Sequence, residues 1–317
     1  VHFKIEGMVS MKILSKNIFP MCLIIIVFVA ISSQYIFIAN IPGFYGFFEL
    51  NVFVPFLILI LSPLILVRKH RINTMHLIKS NCLPAGLLIS CVNCTVLLND
   101  MDGHIKFYTD IQYVFAPILL SLIGYFFFSF FESMHRAPVF SKLDLTILLS
   151  LKVILVHIYF YYAAYTLNDS LEMFYSPIAG IIIFCIIFTT INHPSFNSKN
   201  TFEKIYIGSV FSCIFAAASG VFVYSSMVAS GIQGVNLNLL GEVMSIPVLS
   251  FVYGFGCAYC SSGLEFKKSN SMHLDNKSSV YLLESWVFFI LLSIPPMTII
   301  EFADFISDHE IAVDISD

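Results

Sequence analysis

The chain has 317 residues, of which 58% are hydrophobic and only 11% are charged, with a formal net charge of −4. Soluble domains carry about 25% charged residues, so this composition cannot cover a water-facing surface and fits a protein that meets lipid. No basic patch with interleaved aromatics is present, which excludes nucleic acid as an expected partner and leaves the lipid bilayer.

Nine apolar runs are long enough to span, at roughly 17–39, 51–67, 77–98, 111–131, 143–165, 173–191, 205–229, 237–260 and 280–300. Backbone amides find no water in hydrocarbon, so these runs are expected to be helices. None shows the alternating polarity of barrel strands. The first run has features of a secretory signal, but its apolarity continues to about residue 40, which fits a retained signal anchor. The expected class is therefore all-α: a polytopic transmembrane helical bundle over residues 17–303. A short segment (1–16) precedes it and an acidic tail (304–317) follows.

The connectors set the orientation. Before run 1 and after runs 2, 4, 6 and 8 lie Lys4, Lys12, Lys16, Arg68, Lys69, Arg71, Lys79, Arg136, Lys142, Lys199, Lys204, Lys267, Lys268 and Lys277, whereas the opposite connectors carry only Lys106. Basic residues favour the cytoplasmic side, so the N-terminus is expected inside and the C-terminus outside. The acidic stretch at 99–110, with Asp100, Asp102, His104 and Asp110, reads as a solvated external loop, since the full calcium-loop pattern is missing. Nine spans with this orientation also permit a four-plus-one-plus-four inverted repeat, an arrangement common in secondary transporters.

Run 5 holds Lys152, the one basic residue left over from this tally, in LLSLKVILVHIYFYY. Nine residues from Leu143 place its backbone roughly 13 Å deep. Insertion scales put a central lysine at about 2.5–3.5 kcal/mol, which the surrounding apolar residues offset. Its side chain leans toward the helix N-terminus. An ammonium at this depth is expected to face the bundle interior or a water-filled cavity and to pair with an acid. By depth the expected partner is Glu284 in run 9, beside an interfacial Trp286, while Glu242 in run 8 forms a second, outward site. Tyr159 shares the face of Lys152. His157 lies on another face with Ser150, Ile154, Tyr161 and Tyr165, so run 5 is expected to be surrounded by protein.

In run 7, Gly208, Ser212, Ala216 and Gly220 repeat every fourth residue, and such a small-residue stripe permits close backbone approach. The run is expected at the centre of the bundle. Prolines 55, 63, 84, 117, 177, 247, 295 and 296 fall in or at the ends of spans, where an interior proline opens a kink. Two CxxC pairs, Cys91/Cys94 and Cys257/Cys260, close runs 3 and 8 and would suit a thiol relay. With too few further ligands nearby, no metal is expected at either pair, and no cofactor is expected elsewhere.

The chain lacks a phosphate-binding glycine loop, HExxH, GxSxG and paired aspartate motifs, so an enzyme is not the expectation. The leading reading is a secondary transporter or permease of a bacterial inner membrane, coupled to an ion gradient and moving a small molecule or ion through Lys152, Glu242, Glu284, His157 and Tyr159. The alternatives are a non-transporting sensor, immunity or assembly protein, and an intramembrane thiol-redox protein. Neither the substrate nor the oligomeric state is legible in these residues.

Overall fold

The computed structural model describes residues 50–62, 74–99, 104–132, 142–166, 171–197, 199–229, 237–264 and 281–288. Run 1, the cytoplasmic segment and the acidic tail lie outside the described residues, as do Pro63, Pro295 and Pro296. Among the described residues the fold is entirely helical, with helices α1 (Leu50–Leu61), α2 (Thr74–Asn99), α3 (His104–Glu132), α4 (Lys142–Thr166), α5 (Pro177–Asn192), α6 (Thr201–Ala229) and α7 (Leu237–Ser261). A further helical stretch covers 281–288, here α8. Among the described residues, four stretches are long and apolar enough to cross a membrane: Leu77–Val96, Asp144–Tyr165, Leu171–Asn192 and Thr201–Val223.

Local chemistry sets several helix ends. Ser176 accepts from the Ala179 amide and Pro177 opens α5, a position where a missing N–H costs nothing. Pro194 follows its end at His193. Gly263 stops α7 with φ 72°, in the left-handed region that closes many helices. The stretch read as an acidic external loop is corrected here, because His104–Asp110 already forms the first two turns of α3.

Helix α2 occupies the centre, packed chiefly against α3 and α7, with α1 beside it. Of its Leu77–Val96 stretch 83% is buried, against 50% for the corresponding part of α6. This corrects the expectation that run 7 is central. The stripe of α6 is nonetheless inward: Gly208 approaches α5 so closely that a Cβ would lie 3.0 Å from the Ile187 Cα. The other side of α6 exposes Phe211, Ile214, Phe215 and Phe222. Small residues bring α2 and α3 together in the same way. A Cβ on Gly86 would sit 2.3 Å from the Ser121 Cβ, and Ser90 Oγ donates to the Val114 carbonyl at 2.6 Å.

Trp286 of α8 is fully buried, edge-on to Phe251 and Phe255, and its Nε1 donates to Ser90 Oγ at 2.9 Å. It joins α8 to α2 and α7 from within the bundle. At the far side, the Tyr253 hydroxyl donates to the Phe174 carbonyl and accepts from the Ser176 amide, both at 2.8 Å, fixing the turn before α5 against α7.

Candidate functional site

Helix α4 turns Leu148, Lys152, Val156, Tyr159, Phe160 and Ala163 inward. Lys152 is 1% exposed, among the largest side chains so fully enclosed. Leaning toward its own helix N-terminus, it reaches the end of α7. There Nζ donates to the carbonyl oxygens of Tyr259 at 2.9 Å and Ser262 at 2.6 Å, and to Ser262 Oγ at 3.1 Å. It also donates to Asn81 Oδ1 of α2 at 2.7 Å. An ammonium has three protons, so one is shared among these four oxygens.

The reason for this meeting lies in helix chemistry. The last carbonyls of α7 have no intrahelical donor and carry the negative end of the helix dipole. A buried cation from a neighbouring helix meets both needs. The Tyr259 ring lies 5.0 Å from Nζ and adds a cation–π contact. Gly263 lets the chain turn against α2, where a Cβ would fall 2.7 Å from Ser80 Oγ and 2.8 Å from Leu77 Cδ2. Leu264 then packs on Leu148, about one turn before Lys152.

The cluster extends to a fourth helix. The Tyr259 hydroxyl donates to the Leu59 carbonyl at 2.8 Å and lies 3.2 Å from Ser62 Oγ, at the end of α1. Ser262 Oγ lies 2.8 Å from both Asn81 Oδ1 and the Tyr259 carbonyl, so its single proton chooses between them. Asn81 Nδ2 is buried with no acceptor. Its amide cannot profitably reverse, because that would aim an NH2 group at the ammonium. Ends of α1 and α7 and side chains of α2 and α4 are thus tied at one end of the bundle.

Tyr159, on the same inward face, is buried and donates to Asn93 Oδ1 of α2 at 3.1 Å. His157 is exposed, and its Nδ1 lies 2.8 Å from the Val153 carbonyl of its own helix. Ile154, Tyr161 and Tyr165 are exposed beside it. This corrects the expectation that run 5 is enclosed on all sides. Glu284 is exposed on α8 and is not among the four oxygens around Nζ, so its expected pairing with Lys152 is corrected too. Glu242 belongs to α7, with its side chain outside the described residues.

Cys91, Cys94, Cys257 and Cys260 are free thiols within regular helix. Cys91 is fully buried and donates to the Val248 carbonyl at 3.3 Å. Cys213 of α6, which no CxxC spacing marks, is also fully buried and packs against α7, where a Cβ on Gly254 would lie 2.7 Å from its Sγ. Among the described residues no group of three or more His, Cys, Asp or Glu is placed to hold a metal ion.

Sequence reasoning located Lys152 but missed Asn81, Tyr259 and Ser262. The available signals were an amide inside an apolar run and the Ser-Ser-Gly ending of run 8. Set against protein-family models, curated proteins and solved structures, the chain matches none.

Proposed function

We propose that this chain is a multi-pass protein of a bacterial inner membrane that moves a small solute by rearranging its helices, coupled to an ion gradient. In this reading the Lys152 cluster is the latch that closes the bundle at its cytoplasmic end, the side assigned by the basic connectors. One observation carries it: a buried ammonium of α4 ties the carbonyl end of α7 to a side chain of α2 through hydrogen bonds that a helix movement can break and remake. Prolines 55, 84 and 247 lie inside α1, α2 and α7, three of the tied helices, and supply points of bending. Lys152 and Tyr159 would line the path, with Glu242 as the coupling carboxylate.

The complete enclosure of Lys152 favours a second reading, in which the protein transports nothing and the cluster is a permanent clamp. Cys82, fully buried beside Asn81, separates the two. With the other cysteines replaced by serine, a membrane-impermeant maleimide is applied to vesicles of each orientation. A latch gives slow labelling of Cys82 from the cytoplasmic face that quickens in Lys152→Met. Absence of labelling from both faces, in wild type and in a folded Lys152→Met protein, sinks the transporter reading.

A further inference from the structure

A groove of about 500 Å³ runs between α5 and α6, open along one side. Cys185, Thr189 and His193, spaced four apart, form one wall along α5, Phe211 of α6 forms another, and Phe196 stands at the mouth. Eight residues of helix make the wall roughly 12 Å long. Both helices lie in candidate spans, Leu171–Asn192 and Thr201–Val223, and the mouth sits at the end of the groove where the two spans meet their connector.

The wall is less polar than its residues imply. Thr189 and Thr190 donate back to the carbonyls of Cys185 and Ile186 at 2.7 and 2.8 Å, so their hydroxyls are satisfied within the helix. What remains facing the groove is hydrocarbon, sulfur and an aromatic ring. The mouth has the opposite character. Lys204 Nζ donates to the Ile191 carbonyl at 2.8 Å, and an ammonium retains two further donors. Lys199 is already paired with Glu203 in the first turn of α6, which leaves Lys204 to meet an anion. The exposed His193 accepts the Ser195 amide through Nδ1 at 3.3 Å, which puts the proton of the neutral ring on Nε2 as an outward donor. Apolar depth with cationic and N–H donors at headgroup level complements one class of molecule.

We propose that this groove is a binding site for an anionic phospholipid, with one acyl chain along Cys185, Thr189 and Phe211 and the phosphate at His193 and Lys204. The site is independent of the Lys152 cluster and of any transport.

The test is native mass spectrometry of the full chain in uncharged detergent, titrated with phosphatidylglycerol and with phosphatidylcholine of the same chains. One phosphatidylglycerol should bind with about fivefold preference, as expected for one nearby lysine. Lys204→Gln should reduce that preference to near unity, Lys204→Arg should retain it, and Cys185→Trp should lose both lipids. Because each preference is a ratio within one variant, differences in folding yield cancel. Equal binding of both lipids by wild type, a preference surviving in Lys204→Gln, or undiminished binding in Cys185→Trp would overturn the proposal. So would displacement by inorganic phosphate alone, or a dimer that Cys185→Trp abolishes.

Discussion

Lys152 Nζ stands 2.6 Å from the carbonyl oxygen of Ser262, so a side chain two to three turns into α4 caps the end of α7. Replacing it by methionine keeps the bulk and removes every donor. The Tyr259 and Ser262 carbonyls would then be buried without their cation, a loss of about 2–3 kcal/mol after the relief of a desolvated charge. Thermal unfolding in detergent should show a midpoint several degrees lower for Lys152→Met. Lys152→Arg should not restore it, since a planar guanidinium cannot reach oxygens grouped around a point. An unchanged midpoint in Lys152→Met would mean the cap contributes nothing.

Asn81 offers a sharper probe of the charge. Its Oδ1 receives Lys152 while Nδ2 meets no acceptor, so Asn81→Asp removes only an unsatisfied donor and adds a carboxylate at 2.7 Å. Asn81→Leu instead withdraws an acceptor from the ammonium. The aspartate variant should exceed the leucine variant in stability by about 2 kcal/mol or more, read from paired melts. Equal melts would indicate a lysine that is neutral in the folded protein.

Trp286 is the single tryptophan of the chain, which makes its fluorescence unambiguous. Buried against Phe251 and Phe255, it should emit at short wavelength and resist acrylamide. Trp286→Phe keeps the aromatic packing but loses the bond to Ser90 Oγ, whose own bond to the Val114 carbonyl remains. A cost of about 1 kcal/mol is expected. Strong quenching in the native protein would place the ring elsewhere.

Two glycines in the central helices predict opposite outcomes. Gly86→Ala drives a methyl group to within 2.3 Å of the Ser121 Cβ and 2.6 Å of the Pro117 carbonyl oxygen, so α2 and α3 must separate, at about 1–3 kcal/mol. Gly256→Ala enters open space within α7 and should gain up to about 1 kcal/mol from helix propensity. Matched melts of the two variants check both signs.

The helices were legible because long apolar runs admit little else in lipid, and the inward, N-terminally leaning Lys152 followed from its depth and its Cα–Cβ direction. Its partners were not legible, because a search for opposite charge overlooks neutral oxygens. Two of the acceptors are backbone carbonyls, which leave no mark in a sequence except the glycine that ends the helix. Which face of each span meets lipid was equally hidden. Lipid and protein interior are both apolar, so Tyr161, Tyr165 and Ile154 gave no sign that they point outward, and His157 went with them. The stripe in run 7 identified a close contact but not its rank, since a small-residue face serves a peripheral helix as well as a central one.

The enclosure of α2 bears on how the molecule is assembled. Of the four long apolar stretches, Leu77–Val96 has the lowest mean hydropathy and the least outward surface, while Leu171–Asn192 has the highest mean hydropathy and the most. A helix so enclosed has little need of oiliness, and by its hydropathy it is the one of the four that would partition least readily by itself. Its place should therefore depend on company, on α3 packed beside Gly86 and on the end of α7 that meets Asn81. Until those neighbours are synthesised, the future heart of the bundle is its least secure member.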